Sequence, residues 1–342
     1  MMEYTTNTTP KEIADRIRAA RRTAIITHSK PDGDAIGSTL ALKRMLDGLS
    51  KQSDILLVGP IETALLEIIK PTPFLLCDEE QQPDEDYDLV VSLDTGSWSQ
   101  LETIEHWLRP QHEHTIVIDH HARGDDIAAL RLVDTKCAAA TQVLFPVLEK
   151  LGGPITGEQG GIAEALFVGI ATDTGWFRFQ NADTDAFQFA ARLLALDVDK
   201  ARLFETIEAT ARPQRLRVLS SALNSIEYLA DGAIALMSIT ADDFMATGAE
   251  PEDLTGLVNE PLCIGAVRVS ILLTEREPGV TKMSFRAKPK TPGAVFVNVN
   301  TLAQNFGGGG HIHAAGARVK KTMEAVRVDL LSLVETESFQ LI

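Results

Sequence analysis

Four places in this chain put carboxylates or imidazoles directly behind apolar runs, where a fold could gather them. His28, Asp32 and Asp34 lie in Thr27-His28-Ser29-Lys30-Pro31-Asp32-Gly33-Asp34, which continues the β-branched run at residues 23–27. Asp94 closes the apolar run 89–93, Asp119-His120-His121 closes 116–118, and Asp173 follows the apolar stretch 163–170. Taken singly, each has an ordinary explanation. Asp32-Gly33-Asp34 reads as a turn or helix cap, a lone aspartate after a strand as a loop residue, and paired histidines as a polar loop. Their joint occurrence changes the balance. Carboxylates brought into one cleft repel each other by several kcal/mol unless cations neutralise them. Mixed carboxylate and imidazole donors suit Mn²⁺, Mg²⁺ or a similar divalent ion better than a thiolate site would.

The elements that must position these groups alternate between strand and helix. The pattern predicts an amphipathic helix over residues 10–21 with Pro10 at its first turn, and a further helix over 36–46. Buried strands are expected at 23–27, 55–58, 88–93 and 115–118, and helices at 138–151, 158–170 and 184–196. Near-continuous apolar strands fit a parallel sheet covered on both faces. The expected fold class is therefore α/β: an N-terminal doubly wound parallel sheet with helices on both faces, a helical connector and a smaller C-terminal α/β domain. In a doubly wound sheet ligands sit beyond the carboxyl ends of the strands, so the aspartates and histidines that close them converge on one edge. The boundaries expected are 1–195 for the first domain, 196–230 for the connector with Pro213 opening a helix, and 231–342 for the second domain. Strands are expected there at 233–239, 264–273 and 281–287.

Composition narrows the class of function. At 342 residues, 44% of them hydrophobic, the chain suits two domains with sizeable cores. No charged-then-apolar leader opens it, no apolar run approaches the roughly 20 residues of a membrane span, and its three scattered cysteines fit neither a disulfide framework nor a zinc cluster. A cytoplasmic protein with no membrane partner is expected. The formal charge of −16 argues against coating long or duplex nucleic acid. Between positions 261 and 321, however, nine Lys or Arg (268, 276, 282, 286, 288, 290, 318, 320 and 321) face two acids, a local excess of seven positive charges. This basic stretch is either a solvated face or a place for a phosphate.

The motifs His28-x3-Asp32-x-Asp34, Asp94, Asp119-His120-His121 and Asp173, in that order, resemble the DHH phosphoesterase superfamily over residues 20–180. Gly307-Gly308-Gly309-Gly310-His311-Ile312-His313-Ala314-Ala315-Gly316, with Phe285-Arg286 before it, resembles the type-one DHH-associated domain. The resemblance implies two divalent metal ions, Mn²⁺ foremost with Mg²⁺ as an alternative. It implies that His28, Asp32 and Asp94 hold one and that Asp34, Asp94, His120 and Asp173 hold the other, with Asp94 shared. Asp119 would orient the neighbouring imidazoles, and His121 would face the scissile phosphate, making Asp94 and His121 the catalytic pair. Two such ions can clamp the attacking and leaving oxygens of an in-line displacement. Arg286, Gly308, Gly309, Gly310 and His311 would bind substrate, since successive glycines let backbone N–H groups approach an anion closely. Arg178 is a weaker phosphate candidate.

The resemblance is to the stand-alone oligoribonuclease and 3′-phosphoadenosine 5′-phosphate phosphatase group, the nanoRNases. It implies a substrate of a few nucleotides of single-stranded RNA, or a small nucleotide, and leaves a homodimer open. Two other readings share these residues: a phosphodiesterase for linear or cyclic dinucleotides, and a catalytically silent nucleotide-binding protein. The chain departs from the group at Cys137-Ala138-Ala139-Ala140-Thr141, where hydroxyl side chains are common, and at Gln142, where Glu is frequent.

Overall fold

A computed structural model describes residues 4–83, 86–289 and 296–335 of the chain. Lys290, counted in the basic stretch, lies outside them. The chain divides into two compact units, residues 1–210 and 211–342. No helix of the described residues is long and apolar enough to cross a membrane.

Unit 1 is a six-stranded sheet with every neighbouring pair parallel, in the order β3-β2-β1-β4-β5-β6. The strands are β1 (Arg22–Ile26), β2 (Gln52–Val58), β3 (Leu75–Cys77), β4 (Leu89–Leu93), β5 (Thr115–Asp119) and β6 (Leu130–Val133). After β3 the chain returns to the other side of β1 and continues outward through β4, β5 and β6. The reversal therefore falls between β1 and β4, where a crevice opens at the strand ends. Alternation along each strand feeds two cores. Ile25, Ile55, Leu57, Val91, Ile116 and Ile118 face one side; Ala24, Ile26, Leu56, Val58, Val90 and Val117 face the other.

The first face is covered by α1 (Pro10–Ala19), α2 (Gly33–Gly48), α5 (Ala140–Leu151) and α6 (Ile162–Asp173), and α3 (Thr63–Ile69) packs into the same core. On the second face lie short turns and α4 (Glu105–Leu108), which contribute Leu101, Ile104 and Leu108. The Thr9 hydroxyl caps α1, whose first residue is Pro10, as the sequence predicts. Helix α2 begins three residues earlier than expected because the Asp32 side chain accepts from the N–H groups of Asp34 and Ala35. Two helices complete the unit, α7 (Thr184–Leu194) and α8 (Lys200–Ile207).

Unit 2 opens with α9 (Pro213–Asn224), so the expected connector is shared between the units. Its mixed sheet follows the order β11-β12-β10-β9-β8-β7, built from β7 (Glu227–Leu229), β8 (Ile234–Ile239), β9 (Val269–Glu277), β10 (Val280–Ala287), β11 (Gly309–Gly310) and β12 (Ala314–Val319). Only β8 and β9 run parallel. One face carries α11 (Val299–Gln304) and α12 (Met323–Glu335), whose Val326 and Leu330 share a core with Ile271 and Phe285 of the sheet. Its opposite face carries α9 and α10 (Ala241–Thr247), whose Phe244 shares a core with Met237 of β8 and with Leu257. The strand expected at 264–273 is shifted to β9. Its predicted start falls just after a short helical turn that ends at Cys263, and the Ile264 carbonyl accepts from Lys288 instead.

Helices α2 and α6 cross closely, and Gly37 makes this crossing fit. A Cβ at that position would stand 2.4 Å from the Ala165 carbonyl oxygen and 2.9 Å from the Gly169 nitrogen, both backbone atoms that cannot turn aside. Glycine to alanine inside an exposed helix ordinarily stabilises by about 0.5–1 kcal/mol. Here Gly37→Ala should instead cost about 1–3 kcal/mol in urea unfolding, because the helices must separate. A neutral or stabilising result would show that the crossing can relax.

Candidate metal centre

The loop after β1 and the first turn of α2 deliver His28, Asp32 and Asp34, and the residue after β4 is Asp94. These are the two strands flanking the reversal of strand order, and the Thr27 hydroxyl ties them by donating to the Leu93 carbonyl (2.8 Å). The end of β5 supplies Asp119, His120 and His121, while the close α2–α6 crossing sets Asp173 at the end of α6 opposite Asp34. Helix α6 stops there because Gly175, Trp176 and Phe177 all take left-handed φ values of 55°, 54° and 64°.

The candidate ligands form two groups. His28 Nε2 lies 3.8 Å from Asp32 Oδ1 and 3.5 Å from Asp94 Oδ2. His120 Nε2 lies 3.9 Å from Asp34 Oδ2, 3.6 Å from Asp173 Oδ2 and 3.3 Å from Asp94 Oδ1. Asp94 thus turns one oxygen to each group. These separations exceed the roughly 2.7–3.2 Å of a good N–H···O bond, so the donors surround shared gaps rather than saturate one another. The ligand atoms of His28, Asp32 and Asp94 lie within 4.8 Å of one another, as do those of Asp34, His120 and Asp173, so each set could hold a metal ion.

Both imidazoles are set for that purpose. His28 Nδ1 faces the Ser29 carbonyl at 3.0 Å, and His120 Nδ1 faces the Cys137 carbonyl at 3.3 Å. A carbonyl can only accept, so Nδ1 carries the proton and Nε2 is turned toward the carboxylates, the arrangement usual for ligating histidines. A third grouping, Asp94 with His120 and His121, also satisfies the distance requirement. His121 Nδ1, however, is bound at 2.8 Å to Asp119 Oδ1 and must donate there, which removes it as a ligand atom.

Electrostatics describe a centre short of positive charge. Asp34 is fully buried, and its carboxyl is pushed well above the ordinary range by burial and by Asp94 and Asp173. Burial raises Asp173 to about 6 despite His120, with Asp94 and Asp32 adding to the rise. For His28 and His120 burial disfavours the charged ring, yet their carboxylate neighbours lift both to about 10. Asp94 is 2% exposed, and its Oδ1 has no hydrogen-bond partner. An unsatisfied buried acceptor costs about 1–3 kcal/mol, and more when charged. Asp94 also sits at φ 60°, a left-handed conformation tolerated mainly by glycine, asparagine and aspartate. A divalent cation would satisfy the orphaned oxygen and offset the repulsion, so the donor set fits one.

Several contributors carry no signal in the sequence. The backbone N–H groups of Ala140 and Thr141, at the start of α5, donate to the Asp34 carboxylate. The alanines that replace hydroxyl side chains therefore act here through their main chain. Gln142 accepts from the Ala138 N–H (2.8 Å) and so braces the same turn. Tyr4, 115 residues before Asp119, donates its hydroxyl to Asp119 Oδ2. The residues following His121, Ala122 to Asp126, line a cavity of about 790 Å³ together with Tyr4 and Ser97. Arg178 donates from Nε to the Gly175 carbonyl at 2.8 Å and so braces the left-handed turn.

The expected substrate residues lie in unit 2. Arg286 stands opposite Ala314 in the β10–β12 pairing, and the hairpin closed by His311 N–H to the Ala314 carbonyl (2.7 Å) lies at the end of the same strand. His311 is exposed, and Arg286 donates to the carbonyl of Phe285. The glycine run is no loose loop: Gly309 and Gly310 pair with Gly316 and Ala315. A Cβ on Gly308 would fall 2.1 Å from the Gly316 carbonyl oxygen, so that glycine is needed for strand packing. The basic stretch is partly spoken for, with Arg276 on Glu250 and Lys321 on Asp329.

Residues 22–170 match the DHH family, N-terminal domain, and residues 232–337 match the DHHA1 domain. A bifunctional oligoribonuclease and PAP phosphatase, NrnA, of Thermus thermophilus is 32% identical over 90% of this chain and 89% of its own length. NrnA of Bacillus subtilis, described in the same words, is 25% identical over 88% of this chain and 90% of its own. The crystal structure of an exopolyphosphatase-related protein from Bacteroides fragilis superposes with a TM-score of 0.81 at 25% identity, covering 98% of this chain and 97% of that one.

Because asparagine also tolerates the left-handed region, Asp94→Asn should fold with the same backbone. Titration of the variant with Mn²⁺ should show binding at both groups weakened on the order of a hundred-fold. Weakening of a single binding step would show that the groups do not share this residue.

Proposed function

The chain belongs to the DHH family of phosphoesterases, hydrolases of phosphate esters, and we propose that it is a two-metal enzyme releasing nucleoside 5′-monophosphates from short oligoribonucleotides. We further propose that it dephosphorylates 3′-phosphoadenosine 5′-phosphate to AMP. The observation that carries the metal-dependent reading is Asp94, whose two oxygens face two separate sets of donors. The choice of substrate rests on the likeness to the NrnA proteins, which extends over both units and about nine-tenths of each chain.

In this reading His28, Asp32 and Asp94 hold one ion, and Asp34, Asp94, His120 and Asp173 hold the other, with Mn²⁺ as the expected metal. Bound divalent ions would supply Lewis acidity to a phosphate oxygen and ease the ionisation of water. The remaining work belongs to the chain. Asp119 accepts from the backbone N–H groups of His120 and His121 and from His121 Nδ1, which fixes the loop and the ring together. With Nδ1 engaged and the side chain 52% exposed, the far nitrogen of His121 is left to meet a phosphoryl oxygen or to hand a proton to the leaving oxygen. Arg286 and His311, with the backbone of Gly309 and Gly310, would bind a terminal phosphate, while the Gly308 N–H is already given to the Ala303 carbonyl (2.9 Å). The many acidic residues elsewhere would discourage a long polyanion.

Purified protein with Mn²⁺ and RNA of two to five nucleotides should yield mononucleotides, with longer RNA cleaved more slowly. Arg286→Ala should raise KM about ten- to a hundred-fold, the worth of a charge-assisted hydrogen bond, with metal content kept. No turnover of short RNA or of 3′-phosphoadenosine 5′-phosphate would remove the proposal. Turnover confined to linear or cyclic dinucleotides would replace it with a dinucleotide phosphodiesterase.

A further inference from the structure

The segment preceding α1 is stitched to the outer edge of the parallel sheet. Asn7 N–H donates to the Arg131 carbonyl (2.9 Å), and Arg131 N–H returns a bond to Asn7 Oδ1 (2.7 Å). The Thr6 hydroxyl both accepts from Val133 N–H (2.7 Å) and donates to the Val133 carbonyl (2.6 Å). This strap ends at Tyr4, whose ring fills a slot between two loops at the carboxyl ends of the strands. A Cβ on Gly96, after β4, would fall 2.0 Å from the Tyr4 hydroxyl oxygen. One on Gly124, after the paired histidines, would fall 2.3 Å from its Cε2.

The slot leads the hydroxyl to Asp119. That carboxylate is wholly buried, and its two oxygens have different duties. Oδ1 takes three donors from its own loop: His120 N–H at 2.7 Å, His121 N–H at 3.1 Å and His121 Nδ1–H at 2.8 Å. Oδ2 takes the Tyr4 hydroxyl at 2.5 Å, at the short end of the range for an O–H donor on an ionised acceptor. Without the phenol, Oδ2 would be left unpaired in the interior. The carboxylate would then gain by turning to share its loop donors between both oxygens, and His121 would lose its fixed acceptor.

We propose that Tyr4 is a positioning residue for the reaction, its hydroxyl locking the Asp119 carboxylate so that His121 is held with Nδ1 as donor and its far nitrogen presented to the phosphate. The assignment of a reacting role to His121 rests on the functional reading above; the locking itself does not. Among the described residues the hydroxyl of Tyr4 hydrogen-bonds to none of the candidate ligands and reaches the site through Asp119. The change Tyr4→Phe is the sharp probe, because the ring still fills the slot and the strap bonds of Thr6 and Asn7 are untouched.

In Tyr4→Phe, Mn²⁺ content should match the parent protein, the melting temperature should fall only by the small amount that one unpaired buried acceptor costs, leaving the protein fully folded at the assay temperature, and KM for a short RNA should stay within about twofold. Its kcat should fall about ten- to a hundred-fold, the usual consequence of removing a partner that orients such a centre. Independently of turnover, the histidine nitrogens of the metal-free protein can be followed by ¹⁵N NMR at a pH where the His121 ring is neutral, its signal assigned by His121→Asn. The parent should hold the Nδ1–H form, and Tyr4→Phe should shift population toward Nε2–H. Unchanged ring signals would overturn the proposal, and so would an unchanged kcat. Lost metal or a lowered melt that accounts for the lost rate would overturn it as well, by making Tyr4 a structural anchor. If the parent turns over no short RNA, the functional reading fails, and the NMR comparison alone decides for or against Tyr4.

Discussion

Negative charge crowded into a poorly hydrated crevice is the condition around which unit 1 is built. The ligand atoms of Asp34 and Asp173 lie within 4.8 Å of each other, and two unit charges so placed repel by about 3 kcal/mol at an effective dielectric near 20. Part of this cost is met locally. Asp32 accepts from the first turn of α2, and Asp34 from the first turn of α5, so two helix N-termini turn their partial positive charge on the cluster. Asp94 receives no such help at Oδ1. The imbalance that remains is centred on the one residue facing both donor groups.

Backbone architecture makes the crowding unavoidable. The parallel strands bring their carboxyl ends to one edge, and the reversal between β1 and β4 leaves room there that no crossover fills. Asp173 does not come from a strand at all. It arrives by way of α6, held against α2 by contacts that admit only glycine at position 37. Thus a packing detail within the helical layer sets how near the Asp173 carboxylate stands to Asp34. Three consecutive left-handed residues after Asp173 then stop the helix, and Arg178 braces them through the Gly175 carbonyl.

Much of this was legible in the sequence because periodicity and punctuation report backbone direction. The apolar runs that become β1, β4 and β5 each ended in an acid or histidine, and the strand-end rule gathers such residues whatever the intervening chain does. Strands β3 and β6 escaped, being three and four residues long, too short to show a period. β12 escaped too, since alanine and glycine make up four of its six residues and give no β-branched signal. Tyr4 could not be read at all. Its partner stands 115 residues away, and nothing in a polar opening segment marks a side chain that will dock on a buried carboxylate. The alanines at 138–140 misled in the opposite sense. They looked like lost hydroxyls, whereas the peptide N–H of Ala140, which any residue but proline would supply, serves Asp34.

The outer strands of the two sheets bear on how the molecule behaves in a crowd. An open sheet edge exposes a row of unpaired amide groups on which another chain can build, the usual route to aggregated β-structure. Here β3 and β7 have three residues and β11 two, too short to template a ladder. β6 is shielded differently, by Thr6 and Asn7, which occupy backbone groups of Arg131 and Val133. The strap that brings Tyr4 to Asp119 is therefore also a guard against runaway self-association, and a chain stripped of its first eight residues would present β6 as a sticky border.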